Sequence, residues 1–85
     1  MSDPQKELQA GEVRGPLTRM WFETTMGVRY TMPDMLHSHV DEAHRQLDTK
    51  SGSITVMNIS GVIMVIPKHI LKKAGVGDRC FWEAE

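Results

Sequence analysis

The sequence predicts a small α+β protein in which two β-hairpins, each followed by a helix, form a small antiparallel sheet and pair chains into a homodimer. Three observations predict it. Segments rich in aromatic and β-branched residues come in pairs around glycine turns, at 19–32 and 54–66. An amphipathic segment follows the first pair. Sliding the chain by 34 residues superimposes Gly27-Val28 and Pro33 on Gly61-Val62 and Pro67, so the same order of elements occurs twice.

Each element has its own signal. Residues 1–16 hold two prolines and two glycines and read as a flexible N-terminal arm, which leaves 17–85 as the single domain. Arg19 to Glu23 and Val28 to Met32 are strands around a 24–27 turn, with Met20 and Phe22 on one face and Arg19, Trp21 and Glu23 on the other. Pro33 suits a first helical position, so a helix is expected from Pro33 to Leu47. At about 100° per residue its Leu36, Val40, Ala43 and Leu47 make a narrow apolar stripe. Lys50 to Ser53 is a polar connection.

Ile54 to Ile59 and Val62 to Ile66 then flank the hairpin signal Ser60-Gly61. Pro67 is expected to open a short helix with Ile70, Leu71 and Ala74 on its apolar side, Lys72 and Lys73 in its last turn and Gly75 as its stop. Cys80-Phe81-Trp82 reads as a last strand. The strand Val62 to Ile66 has no polar residue on either face, and a domain this small buries only ~60% of its unfolded surface. A second copy of the chain is the simplest cover, which predicts an oligomer centred on this hairpin.

Composition narrows the function classes. The chain has 85 residues, 40% of them apolar and 25% charged, which fits one globular domain and excludes a disulfide scaffold or a wholly disordered chain. Ten Lys plus Arg against eleven Asp plus Glu give a net charge of −1, so any attraction for nucleic acid has to be local. The lone Cys80 has no partner for an internal disulfide. No apolar run reaches the ~18 residues of a membrane span, and the expected location is the cytoplasm.

The stretch Ser53-Ile54-Thr55-Val56, then Gly61-Val62-Ile63-Met64-Val65-Ile66-Pro67-Lys68-His69-Ile70-Leu71-Lys72-Lys73-Ala74-Gly75-Val76-Gly77-Asp78, resembles the swapped-hairpin transcription factors of the AbrB and MazE type. Their pattern is a glycine turn, an apolar strand ending in Ile-Pro, a short basic helix and a nearby Gly-Asp. The resemblance implies two interlocked hairpins in one dimeric barrel and DNA contacts from basic residues on the hairpin loops. This chain departs from the pattern where it usually has arginine after the turn glycine, carrying Val62, and its loop Asn58-Ile59-Ser60 has no charge.

Three side-chain groups are candidates for chemistry. Lys68, Lys72, Lys73 and Arg79, with His69 among them, form the one local basic cluster and would neutralise phosphates in a nucleic-acid site; solvated lysines at a helix end are the alternative. Arg19, Trp21 and Arg29 can share one sheet face, where two guanidiniums and an indole would hold an anionic planar ligand such as a nucleotide. An Arg–Trp stack beside Glu23 is the plainer reading. His37, Asp41 and His44 share a helix flank at metal-ligand spacing, although a solvated flank needs no metal. Nucleophilic catalysis has little support, because Cys80, Ser38 and Ser60 lack base partners at recognisable spacing, and Gly75-Val76-Gly77 follows a helix signal instead of opening one. No cofactor is expected.

These features point to a non-enzymatic regulatory or inhibitory binding protein that acts as a homo-oligomer on a macromolecular partner, with protein and DNA both open. The alternatives are a nucleotide-sequestering oligomer resembling phage counter-defence proteins, with Arg19, Trp21 and Arg29 as its site, and a small metal-binding protein on His37, Asp41 and His44.

Overall fold

A computed structural model describes residues 16–85, so the expected arm at 1–16, apart from Pro16, lies outside the described residues. The described residues form an α+β domain of six strands and one helix: β1 (Thr18–Thr24), β2 (Arg29–Met35), α1 (His37–Leu47), β3 (Ser53–Met57), β4 (Ile63–Pro67), β5 (Leu71–Val76) and β6 (Arg79–Glu83). One antiparallel sheet has the order β2-β1-β5-β6, and β3 pairs only with β4 in a second, two-stranded sheet.

The internal repeat is a turn. In the first hairpin the Thr24 hydroxyl accepts hydrogen bonds from the Met26 and Val28 amides at 3.3 and 3.1 Å. In the second, the Asn58 carboxamide oxygen accepts from the amides of Ser60 and Val62 at 3.0 and 3.1 Å. The backbone bonds also correspond: Gly27 N–H to Thr24 C=O and Gly61 N–H to Asn58 C=O, Thr24 N–H to Val28 C=O and Asn58 N–H to Val62 C=O. Gly27 and Gly61 take φ of 83° and 81°, a left-handed conformation that a Cβ would strain. Thr24 and Asn58 are buried, so their side-chain oxygens stand in for water at amides that the turn leaves unpaired.

After each proline the halves diverge, and neither expected helix start holds. Pro33 lies inside β2, an edge strand where its missing N–H costs no ladder bond. Asp34 then takes a left-handed φ of 58°, and α1 begins only at His37. Leu36 caps it without a side-chain acceptor, while His39 Nδ1 accepts the Leu36 N–H at 3.0 Å. The stripe appears as expected, with Val40, Ala43 and Leu47 buried and Leu36 half-buried.

Pro67 leads into a single 3₁₀ turn, Lys68–Ile70, and residues 71–76 are strand where a helix was expected. A β-bulge is the cause. The β1–β5 register steps from Glu23↔Lys73 to Thr24↔Leu71, so Leu71 and Ala74 both face the core although three residues apart. That spacing imitates a helix. Gly75 is therefore no helix stop; it lies in β5 beneath Trp21, and a Cβ there would meet Arg79 O at 2.0 Å and the indole at 2.4 Å. The last strand, β6, forms where Cys80-Phe81-Trp82 predicts it.

The inner faces of both sheets share one core. Met20, Phe22, Met32, Leu71 and Ala74 from the large sheet meet Ile54, Val56 and Ile66 from the hairpin, with Val40, Ala43 and Leu47 of α1 completing the cluster. Asn58 ties the sheets together, since its Nδ2 donates to Pro33 O at 3.0 Å. Replacing Asn58 with Ala removes three bonds from a buried site and should cost about 2–4 kcal/mol in urea unfolding, against about 1–2 kcal/mol for Thr24→Ala. Equal losses would mean that the link to Pro33 contributes nothing.

Candidate functional site

The outer face of the β3–β4 hairpin is the most unusual surface of the domain. Alternation buries Ile54, Val56 and Ile66 and turns Met57, Ile63 and Val65 outward. Ile63 and Val65 are 60% and 62% exposed, and Ile59 and Val62 beside them about half exposed. From Ser51 to Pro67 no residue carries a charge. Ile63 and Val65 thus carry apolar surface that the described residues leave uncovered. A contiguous apolar patch of this kind is characteristic of interaction sites.

The two edges of this hairpin differ. At β3 the Gln46 side chain of α1 imitates a neighbouring strand: its Oε1 accepts the Thr55 N–H at 2.8 Å and its Nε2 donates to Thr55 O at 3.0 Å. Glu42 holds Gln46 in place, accepting from Gln46 Nε2 at 3.1 Å and from Arg45 Nε at 3.1 Å. The hydrogen bond from Arg45 holds the Glu42 carboxyl below its ordinary range, against an opposing effect of desolvation, and the same pair raises Arg45. At β4 no such side chain is present among the described residues.

Arg19, Trp21 and Arg29 do come together, around an open depression of about 610 Å³ that Thr31, Asp34 and Asp78 also line. The Arg29 guanidinium lies 4.0 Å from the Trp21 ring centroid and pairs with Glu23 at 3.2 Å. Trp21 itself is only 7% exposed, with its Nε1 donating to Gly77 O at 2.8 Å. One side of the indole is thus covered by Arg29 and its ring packs against Gly75. As arranged, these groups form an Arg–Trp–Glu stack, and a planar ligand reaches the indole only after Arg29 swings away.

The basic residues do not share a helix. Lys68 folds back on the C-terminal end of α1, donating to Leu47 O at 3.3 Å and to Thr49 O, where a cation offsets the helix dipole. Lys73 stands opposite Glu23 on one side and Glu83 on the other. Lys72 occupies the β5 bulge, and Arg79 starts β6 opposite Val76.

The set His37, Asp41 and His44 is divided as well. His37 lies 3.6 Å from Asp41, while His44 pairs with Asp48 at 3.8 Å and its ring lies 4.5 Å from that of Phe81. Among the described residues no three His, Cys, Asp or Glu side chains are grouped to hold a metal. No helix there is long and apolar enough to cross a membrane.

Sequence reasoning missed Gln46 and Asn58. Asn58 was detectable, because it aligns with Thr24 at the repeat spacing; nothing local marks Gln46. No family model, curated protein or solved structure matches the chain.

Gly75→Ala should destabilise the domain by about 2–3 kcal/mol, since the new methyl has to displace the Arg79 carbonyl or the indole. Denaturant unfolding measures this, and a loss below about 0.5 kcal/mol would contradict the packing of Trp21 on Gly75.

Proposed function

We propose that this protein acts by binding, as a homo-oligomer joined through the β3–β4 hairpin, and that it presents this assembly to a macromolecular partner as a regulatory or inhibitory module. The observation that carries this reading is the uncharged apolar surface of the hairpin, with Met57, Ile63 and Val65 on its outer face and Ile59 and Val62 half-exposed at its turn. Fully burying one such side chain is worth ~1.5–3 kcal/mol, so covering the exposed half of five contributes roughly 5 kcal/mol per copy and about 10 kcal/mol for two. Association itself costs ~4–15 kcal/mol. Apolar cover therefore brings self-association within reach, and further contacts have to supply its margin.

A protein partner suits the surface better than DNA. The hairpin carries no charge, Lys68 is engaged at the end of α1, and Lys73 faces two glutamates. The resemblance to swapped-hairpin transcription factors argues for DNA, and a gel shift decides between them. Duplex DNA should show no retention even at low salt; retention lost on changing Lys72 and Lys73 to Glu would replace protein with DNA as the partner.

Sedimentation at micromolar concentration should return at least twice the 9.6 kDa of one chain. A folded 9.6 kDa species overturns the oligomer and the function built on it.

A second reading, sequestration of an anionic nucleotide, is favoured by the convergence of Arg19, Trp21 and Arg29 on one depression. In calorimetry with nucleotides it requires heat that disappears in Arg29→Ala; no heat, or heat unchanged by that variant, removes the site.

A further inference from the structure

The free edge of β4 is built to receive another strand. In the β3–β4 ladder Asn58 N–H donates the closing backbone bond to Val62 O, and the Thr55 amide and carbonyl turn away from β4 to Gln46. Hydrogen-bonded and non-bonded pairs alternate along an antiparallel ladder. The register Thr55↔Val65 and Met57↔Ile63 therefore points the N–H and C=O groups of Ile63 and Val65 outward, away from β3. Their side chains are the most exposed of this apolar surface.

We infer that β4 pairs edge to edge, antiparallel, with β4 of a second copy of this chain, joining two hairpins into a continuous four-stranded sheet. This rests on the oligomer proposed above and names its seam. Charge selects the occupant. With no charged residue between Ser51 and Pro67, a second copy brings neither repulsion nor a charge left unpaired, whereas a charged strand would find no counter-ion there.

The equivalent strand of the first hairpin shows the contrast. Thirty-four residues earlier, the outward positions Ile63 and Val65 correspond to Arg29 and Thr31 of β2, where Arg29 is engaged by Glu23 and Trp21. Charged and polar side chains of that kind protect an edge. On the β3 edge Gln46 occupies the central outward residue, Thr55, so among the described residues β4 is the edge of the hairpin with two successive outward residues open.

Register follows from the same residues. Pro67 has no N–H, and the Gly61 N–H is engaged by Asn58 O in the turn. Only with Met64 on the two-fold axis does each outward residue meet a β4 residue that carries a free N–H, Ile63 facing Val65 of the second copy and Val65 facing Ile63. Four backbone hydrogen bonds result, and each exposed side chain gains a neighbour across the seam. The axis position is a non-hydrogen-bonded pair, with Cα atoms ~4.5 Å apart, close enough for a disulfide.

Two variants test the seam. Val65→Pro deletes an outward N–H that β3 does not use, so it should retain the monomer's circular dichroism spectrum while weakening self-association by about a hundredfold or more. In a Cys80→Ser background, which removes the exposed native thiol, Met64→Cys should form a disulfide-linked dimer under mild oxidation, and Ile63→Cys and Val65→Cys should not. A wild-type oligomer that survives Val65→Pro, or that crosslinks at 63 or 65 in place of 64, overturns this seam and leaves the oligomer standing. A monomeric wild type removes both.

Discussion

Eleven residues of helix have to close the inner faces of two separate sheets, and the exposed features of the molecule follow from how far those residues reach. Val40, Ala43 and Leu47 stand between the large sheet and the hairpin and complete one core with both. The polar flank of the same helix then reaches the hairpin's edge through Gln46. No further element among the described residues is available for the outer faces. On the large sheet this is met locally, by laying Trp21 against Gly75 and placing Arg29 over it. On the hairpin it is not met, and Ile63 and Val65 remain in water.

The two hairpins share one turn and differ in what stands beside them. Position by position, Thr55 of β3 corresponds to Trp21 of β1, at the 34-residue offset. Trp21 pairs with Gly75 of β5, while Thr55 gives its backbone groups to the Gln46 carboxamide. One side chain thus does for β3 what a whole strand does for β1. Along one side a carboxamide presents an N–H and a C=O in the spacing of a peptide group, which is enough to occupy a single outward residue, while its second N–H bonds Glu42. It ends the sheet where a strand would extend it.

Much of this was legible from residue order, and the failures share a physical origin. Hairpins, their glycines, the α1 stripe and the closing strand all follow from local periodicity and turn chemistry, which act between near neighbours in the chain. Pro33 and residues 70–74 were misread because two local patterns coincide: proline suits an edge strand as well as a helix start, and a bulge gives Leu71 and Ala74 the spacing of a helix face. The grouping of Arg19, Trp21 and Arg29 was readable from strand parity. Their mutual engagement was not, because it depends on the depth of Trp21 over a glycine more than fifty positions away. Gln46 was invisible for the same reason, its partner being an edge created by tertiary packing.

Divergence after a shared turn also accounts for the division of labour between the halves. The β1–β2 hairpin acquired β5 and β6 as neighbours and carries its charges on the outer face, where they satisfy one another: Glu23 with Arg29, and Lys73 opposite Glu23 and Glu83. Its free edge, β2, bears Arg29, Pro33 and the left-handed Asp34, each of which interferes with strand addition. In the β3–β4 hairpin the same positions are filled by Ile63, Pro67 and the backbone turn into Lys68, and no residue from Ser51 to Pro67 is charged. A flat strand with outward amides, apolar side chains and no gatekeeping charge is an aggregation hazard unless its pairing is limited. Gln46 on one side and Pro67 at the end supply that limit. In the proposed seam, growth from β4 stops after one addition, which converts an open-ended edge into a closed, two-fold association.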